Sequence, residues 1–357
     1  MDEPMLPEPM PPEIRGVSIV IPNYNYGRFL GEAIDSALAQ THPLVEVIVV
    51  DDGSTDGSRA VIEGYGDRVT AIFQANAGQA RACEAGFRRS RQPIVLFLDA
   101  DDRLLPDAAA TVAAAWRAGS SKQQFRLQVI DAEGTTRRHL FPKYPASLDP
   151  ATVRAELLRT GYYTCPPTSG NAFARDFLAA VLPFDGHRAV DALLNTLAPL
   201  YGDVVTVDRV IGHYRVHGSS DSGGGTIGAA RFAANIADER ARVAVLAQAC
   251  RRLGIVFDGE RSLHNFLPFR ELELVAAKLA DGERQSVLRH AIGAIEAGAA
   301  HPQKRLHRLV RAAWVAAVAL APRRLAVPLI GLRYLPSARP PLLERCFELF
   351  RRRDVPG

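Results

Sequence analysis

Along the first hundred positions the apolar residues come in short unbroken runs separated by polar stretches. Val17-Ser18-Ile19-Val20-Ile21, Val45 to Val50, Val69 to Phe73 and Ile94-Val95-Leu96-Phe97-Leu98 each have the length of one strand. Runs without alternation are strands buried on both faces, as in a parallel sheet. Between the first two, Leu30, Ala33, Ile34, Ala37 and Leu38 recur at the spacing of one helix face. A short helix is expected to end near Gly64, another to span Gln79 to Ser90, and an Ala-rich helix to run from Pro106, a residue that favours helix starts, to Trp116. Strands alternating with helices predict βαβ units and a doubly wound, mostly parallel α/β sheet.

From about Ser120 the pattern changes. Phe125–Ile130 reads as a strand, Asp131 to Gly134 as a tight turn, and Thr135–Pro150 as irregular, proline-rich chain. Gly161–Gly170 is a loop long enough to shape a pocket, Ala189–Leu200 a helix opened by Asp191, and Val204–Val207 and Val210–Val216 two further strands. Ser219–Gly225 is a Ser/Gly linker, and beyond it the apolar spacing is helical throughout, with Phe232, Ile236, Val243, Leu246 and Leu253 marking one long amphipathic helix. The expected organisation is a Pro-rich leader without a fold (1–13), an α/β domain (14–220), a helical domain (226–300) and a basic, partly apolar helical tail (301–357).

Charge sharpens the picture of the tail. The chain totals +4, yet from His301 to Gly357 there are 12 Lys/Arg and 3 Asp/Glu, so the tail carries +9 and the rest −5. A basic tail on an acidic body suits a polyanionic surface, phospholipid head groups first; no nucleic-acid-binding motif accompanies it. Ala312–Ala321 is apolar but interrupted by Pro322-Arg323-Arg324, short of the roughly 20 residues a bilayer span requires. An interfacial segment or a packed helix pair with a basic face are the two readings of it. Four scattered cysteines without a C-x-x-C pair and no secretory leader point to reduced thiols in the cytoplasm, with peripheral attachment to the inner face of the plasma membrane as an option. Abundant Arg and Ala suggest a GC-rich bacterial genome.

Candidate chemistry sits where the strands end. The second run closes in Asp51-Asp52 and the fourth in Asp99-Ala100-Asp101-Asp102, while Asp191 opens a later helix. In open α/β sheets ligands bind beyond the carboxyl ends of strands. Two short, hard carboxylates there suit Mg²⁺ or Mn²⁺ completed by waters and substrate phosphates.

Val17 to Asn25 (VSIVIPNYN), Val49 to Asp56 (VVDDGSTD), Asn76 to Ala80 (NAGQA) and Phe97 to Asp102 (FLDADD), closed by His213 to Ser220 (HYRVHGSS), resemble in order and spacing the family 2 glycosyltransferases. The resemblance covers about Val17 to Ser220 and leaves the helical region aside. It implies a GT-A-type, Rossmann-like fold, a nucleotide-diphosphate sugar donor (a UDP-sugar first), a divalent cation, inversion at the anomeric carbon and a glycan or lipid-linked acceptor. By the same resemblance Pro22 and Tyr24 edge the base and ribose pocket, Asp52 accepts from the nucleobase, Asn76 belongs to the donor site, Asp99 faces ribose and sugar, Asp101 binds the metal with His217 completing its shell, and Asp191 is the base. Val190 stands where the family has the first acid of a Glu-Asp pair, and Glu84 where an asparagine is usual. Arg81, in the first turn of its helix, could reach a phosphate or base. A catalytically silent sugar-nucleotide-binding relative is the rival reading; a pyrophosphorylase would need a Gly-rich loop after the first strand, where Pro22-Asn23-Tyr24-Asn25 stands.

Overall fold

The computed structural model describes residues 15–145, 148–184, 190–217, 227–280, 283–300 and 305–334. The Pro-rich leader, Asp185, the Ser/Gly linker and the end of the tail lie outside them. Two units emerge: one holds the described residues up to Arg154 together with Thr164–Arg215, the other Ala155–Tyr163 and those from Val216 on.

In the first unit the chain runs β1 (Val17–Asn23), α1 (Gly27–Leu38), β2 (Val45–Asp51), α2 (Ser58–Glu63), β3 (Thr70–Phe73), α3 (Gln79–Arg89), β4 (Ile94–Phe97), β5 (Arg103–Leu104), α4 (Ala108–Ala115), β6 (Ser120–Ile130) and β7 (Thr136–Phe141). Helix α5 (Pro150–Thr160) crosses between the units, and β8 (Asn171–Ala174), α6 (Arg175–Ala180), α7 (Val190–Tyr201) and β9 (Asp203–Arg215) complete the first. The nine strands form one sheet in the order β3-β2-β1-β4-β8-β6-β9-β5, with β7 beside β6. Strands β3, β2, β1 and β4 are parallel; β8 runs against both β4 and β6, and β9 returns parallel to β6. The expected parallel half is present, within a mixed sheet whose antiparallel members come later in the chain.

Unbroken apolar runs produce that half because both faces are covered. Val17, Ile19, Ile21, Val49, Ile94, Leu96 and Leu98 share one core with Leu30, Ala33 and Ile34 of α1. Each fully buried Val, Leu or Ile side chain contributes about 1.5–3 kcal/mol. Three expectations are corrected. Thr135–Pro150 is not irregular throughout, since β7 pairs with β6 there. The two late strands are one, β9, bent at register shifts against β6. The Ala-rich helix begins at Ala108, after Asp107, and not at Pro106.

The second unit is helical as expected: α8 (Ala229–Arg252), α9 (Gly259–Asn265), α10 (Leu267–Leu279), α11 (Arg284–Ala300), α12 (Arg305–Leu320) and α13 (Arg323–Tyr334). Its core joins Phe232, Leu274, Val275, Val315, Val318 and Ile330. Fully buried Glu271 sits among them, ion-paired with Arg311 at 3.1 Å and hydrogen-bonded by Arg333 Nε at 3.0 Å. A buried carboxylate is tolerated only with such partners.

Candidate active site

The loops after β1 and β2 are laced together by short polar side chains. Asn23 Nδ2 donates to Asp51 Oδ1 at 2.9 Å and to Ser54 Oγ at 3.1 Å, and Asn25 Oδ1 accepts from Thr55 N–H at 2.7 Å. Asp56 accepts from Gly27 N–H and Ser58 N–H, satisfying amides at the starts of α1 and α2. Neither Asp52 nor Ser54 caps α2. Pro22 is buried within β1, and Tyr24, beyond it, is 45% exposed.

Asp52 is buried and holds the following loop. Its Oδ1 accepts from Gln74 Nε2 at 2.7 Å and Ala77 N–H at 2.9 Å, and its Oδ2 from Gly78 N–H at 2.7 Å. The loop can close on Asp52 because Gly53 has φ +74°, where a Cβ would stand 2.7 Å from Asn76 N. Asn76 is exposed on that loop, between the Gln74 and Ala77 contacts to Asp52.

The turn after β4 carries the other acids. Asp99 N–H donates to Ser169 Oγ at 3.0 Å, and the same hydroxyl donates to Asp102 Oδ2 at 2.6 Å. Gln79 Nε2 reaches Asp99 Oδ1 at 3.2 Å from the start of α3. Half-buried Asp99 is pushed up to about 8, first by burial and then by the charges of Asp101 and Asp191, against hydrogen bonds from Thr168 and Gln79. Asp102 is raised well above the usual carboxylate range by burial and then by Asp101 and Asp99.

Arg215, fully buried at the end of β9, clamps this turn. Its Nε donates to Asp101 O at 2.7 Å, Nη1 to Ala132 O at 3.0 Å, Nη2 to Glu32 Oε2 at 2.7 Å, and its own N–H to Asp102 Oδ1 at 2.8 Å. The guanidinium also lies over the Phe29 ring, 4.8 Å from its centroid. Arg215 and Ser169 were not assigned roles from sequence, although Arg215 stands inside the closing HYRVHGSS motif.

Helix α7 brings Asp191 to the same place. The buried Cys83 thiol of α3 is pushed well up, first by burial and then by the charges of Asp99, Asp191 and Asp52. One thiol thus feels all three acid clusters that the sequence scatters over 140 positions. Asp191 also acts on Lys122, a fully buried cation of β6 whose Nζ donates to Asn195 Oδ1, one turn after Asp191 on α7. Burial lowers Lys122 to about 8, and the Cys165 and Asp191 charges oppose that fall.

Arg81 donates to Glu84 Oε2 at 3.1 Å, and Glu84 also accepts from Arg88 at 2.7 Å and from Phe184 N–H at 3.3 Å. Burial alone would raise Glu84; the Arg88 hydrogen bonds, the Phe184 amide and the two arginine charges outweigh it, so its carboxyl lies below the usual range. His217 is half-buried, two residues beyond β9. Among the described residues no three His, Cys, Asp or Glu side chains converge to enclose a cation. The Asp99–Asp101 pair, whose charges raise Asp99, offers hard carboxylate oxygens of the kind that suit Mg²⁺ or Mn²⁺.

With this geometry in view, comparisons with known proteins are direct. The profile for Glycosyl transferase family 2 matches residues 18–175. An uncharacterized glycosyltransferase of Nostoc sp. is 37% identical over 215 residues, covering 57% of this chain and 66% of its own. A Bacillus subtilis protein, TuaG, named for teichuronic acid biosynthesis, is 36% identical over 95 residues, 26% of this chain and 38% of its own. The chain therefore spans about two thirds of the first relative and less of the second. Among solved structures, S. aureus TarS (residues 1–349, in complex with UDP-GlcNAc) superposes with a TM-score of 0.54 over 89% of this chain and 91% of that one, at 15% identity, a likeness of fold. Through its domain at residues 18–175, the chain belongs to the family 2 glycosyltransferases.

Proposed function

We propose that this protein is a metal-dependent inverting glycosyltransferase that moves a sugar from a nucleotide-diphosphate donor, a UDP-sugar first, to a hydroxyl of a glycan or lipid-linked acceptor in bacterial cell-surface polysaccharide synthesis. The observation that carries the reading is the joining of the strand-end acids: Asp52 accepts from Ala77 and Gly78 N–H, the adjoining Gln79 donates to Asp99, and the charges of Asp101 and Asp191 raise Asp99. The UDP-GlcNAc bound by TarS supports the donor class, and the name of TuaG supports the polysaccharide setting.

In this reading Pro22, Tyr24 and Asn76 border the nucleoside, Asp52 holds the loop against which the base rests, and Asp99 faces ribose and sugar. Asp101, with His217 as a further ligand, would hold a divalent cation, whose chemistry would be to offset the negative charge that grows on the leaving group. A sugar hydroxyl is a poor nucleophile near neutrality, so Asp191 takes its proton as attack proceeds, worth roughly 10²–10⁴ in rate. Glu84 and Val190, the two departures from the family pattern, each have a structural role: Glu84 joins α3 to Phe184, and Val190 is fully buried at the start of α7. Donor binding without metal-dependent turnover would instead favour a catalytically silent relative.

The test is a nucleotide-sugar panel with Mn²⁺, read as thermal shift and nucleoside diphosphate release. One donor is expected to give both, and Asp101→Ala to abolish them while the fold persists, because the acid lies beyond the strand. Metal-dependent release that survives in Asp101→Ala would refute the assignment.

A further inference from the structure

Helix α12 is apolar on both its buried and its solvent face. Its inward face carries Val315, Val318 and Ala319, all buried, with Arg311 paired to Glu271. Its solvent face is apolar as well: Leu306, Leu309, Val310 and Leu320 are 52–67% exposed, and Ala313 and Ala317 are exposed between them. At 1.5 Å per residue this stripe is about 21 Å long. The neighbouring α11 continues it with exposed Leu288, Ile292 and Ile295. Exposed apolar residues are ordinary when scattered, but a contiguous patch marks a surface that is covered in use.

The charges around the stripe say by what. Exposed Arg305 and Arg308 stand at one end and exposed Arg323 and Arg324 at the other, and no Asp or Glu occurs from Arg305 to Tyr334. Arg308 Nη1 reaches Ala299 O at 3.4 Å, beside a groove of about 300 Å³ lined by Ile295, Gly298, Leu309, Arg305 and Arg308. Two copies laid stripe to stripe would set arginine against arginine in either direction. Among the described residues no helix is long and apolar enough to cross a membrane. An apolar stripe between cationic ends, with long guanidinium side chains able to reach upward, is complementary to a surface whose interior is hydrocarbon and whose head groups are anionic.

We propose that the solvent face of α12, extended by α11, docks on an anionic phospholipid surface. Leu306, Leu309, Val310 and Leu320 enter the boundary between head groups and acyl chains, and Arg305, Arg308, Arg323 and Arg324 pair with phosphates. The proposal does not depend on the transfer reaction.

The experiment is co-sedimentation of the full chain with phosphatidylglycerol–phosphatidylcholine vesicles and with phosphatidylcholine alone, at low and high salt. The wild type is expected to bind the anionic vesicles, more weakly in salt. The exposed double change Leu309→Glu/Val310→Glu should weaken binding by about tenfold or more, and Arg305→Glu/Arg308→Glu should weaken it and reduce its salt dependence. Circular dichroism checks that these surface variants stay folded. Failure of the full chain to bind anionic vesicles at low salt would overturn the proposal. So would wild-type binding by Leu309→Glu/Val310→Glu, or loss of binding only when residues 335–357 are removed. A self-association that Leu309→Glu/Val310→Glu dissolves, with no vesicle binding, would make the face an interface between copies.

Discussion

Replacing Arg215 by methionine tests whether the acidic turn is held from below. Methionine keeps much of the apolar volume over Phe29 but donates nothing. Two carbonyl acceptors, Asp101 O and Ala132 O, lose charged donors at 2.7 and 3.0 Å. Hydrogen bonds to charged groups contribute about 1.5–3 kcal/mol each. The third partner, Glu32, is 46% exposed at its side chain, so water replaces that bond and it adds no more than about 1 kcal/mol. The expected loss is therefore about 3–7 kcal/mol, its lower part matching the cost of breaking a buried ion pair. Against a typical total of about 5–15 kcal/mol this is a large share, and the expected readout is a much lower urea midpoint with an unchanged slope. Arg215→Lys supplies one donor nitrogen in place of the three that bond here and should recover about one bond's worth. Function should follow stability: with the Asp101 carbonyl released, affinity for UDP with Mn²⁺ falls by about tenfold, since an ångström of misplacement is felt strongly in such sites. A loss below about 1 kcal/mol for Arg215→Met would show that the guanidinium does not hold the turn.

Asp191→Asn should leave donor affinity nearly unchanged and lower transfer by at least about a hundredfold; since asparagine starts helices nearly as well as aspartate, unaltered transfer would place the base elsewhere. Asp99 predicts a pH dependence. Its folded value of about 8 lies above the usual carboxylate value, so the native unliganded state holds an extra proton and loses relative stability as pH rises from about 4 to 8. On the proposed function donor and metal bind the ionised form, so the thermal shift they give should grow as pH rises through about 8 and level off about one unit above it; a flat response, or one retained in Asp99→Asn, would contradict the assignment.

What could be read in the sequence was local. Unbroken apolar runs ending in acids describe β1, β2 and β4 because burial on both faces and a ligand beyond the strand end leave their mark within ten residues. The first half of β6 could not be read that way. Ser120 to Gln124 is polar in sequence yet buried, because its partners come from far along the chain: Ser121 Oγ bonds Ala198 O, Lys122 bonds Asn195, and Gln124 Nε2 bonds Thr164 O and Thr206 Oγ1. Strand β8 was hidden for a related reason. Four residues pairing antiparallel to strands on either side carry too short a pattern to stand out from the Gly161–Gly170 loop before them.

Arg215 is the clearest case of the same limit in the candidate site. Its motif was visible, but its work depends on Glu32, 183 positions earlier, and on the backbone of a turn that only the folded sheet brings near. Glu84 carries the point to ligand binding. As a departure from the family pattern it could be taken for decay of the site, yet its carboxylate is occupied by Arg81, Arg88 and the Phe184 amide. Arg81 therefore has a partner before any diphosphate arrives, and reaching for a phosphate would mean giving up the bond to Glu84. That carboxylate keeps Arg88 at 2.7 Å, so it stays satisfied when Arg81 swings away. The exchange is then nearly balanced: an ion pair at a side chain 45% exposed is lost for one with a phosphate. Glu84 thus holds Arg81 in place without tying it down.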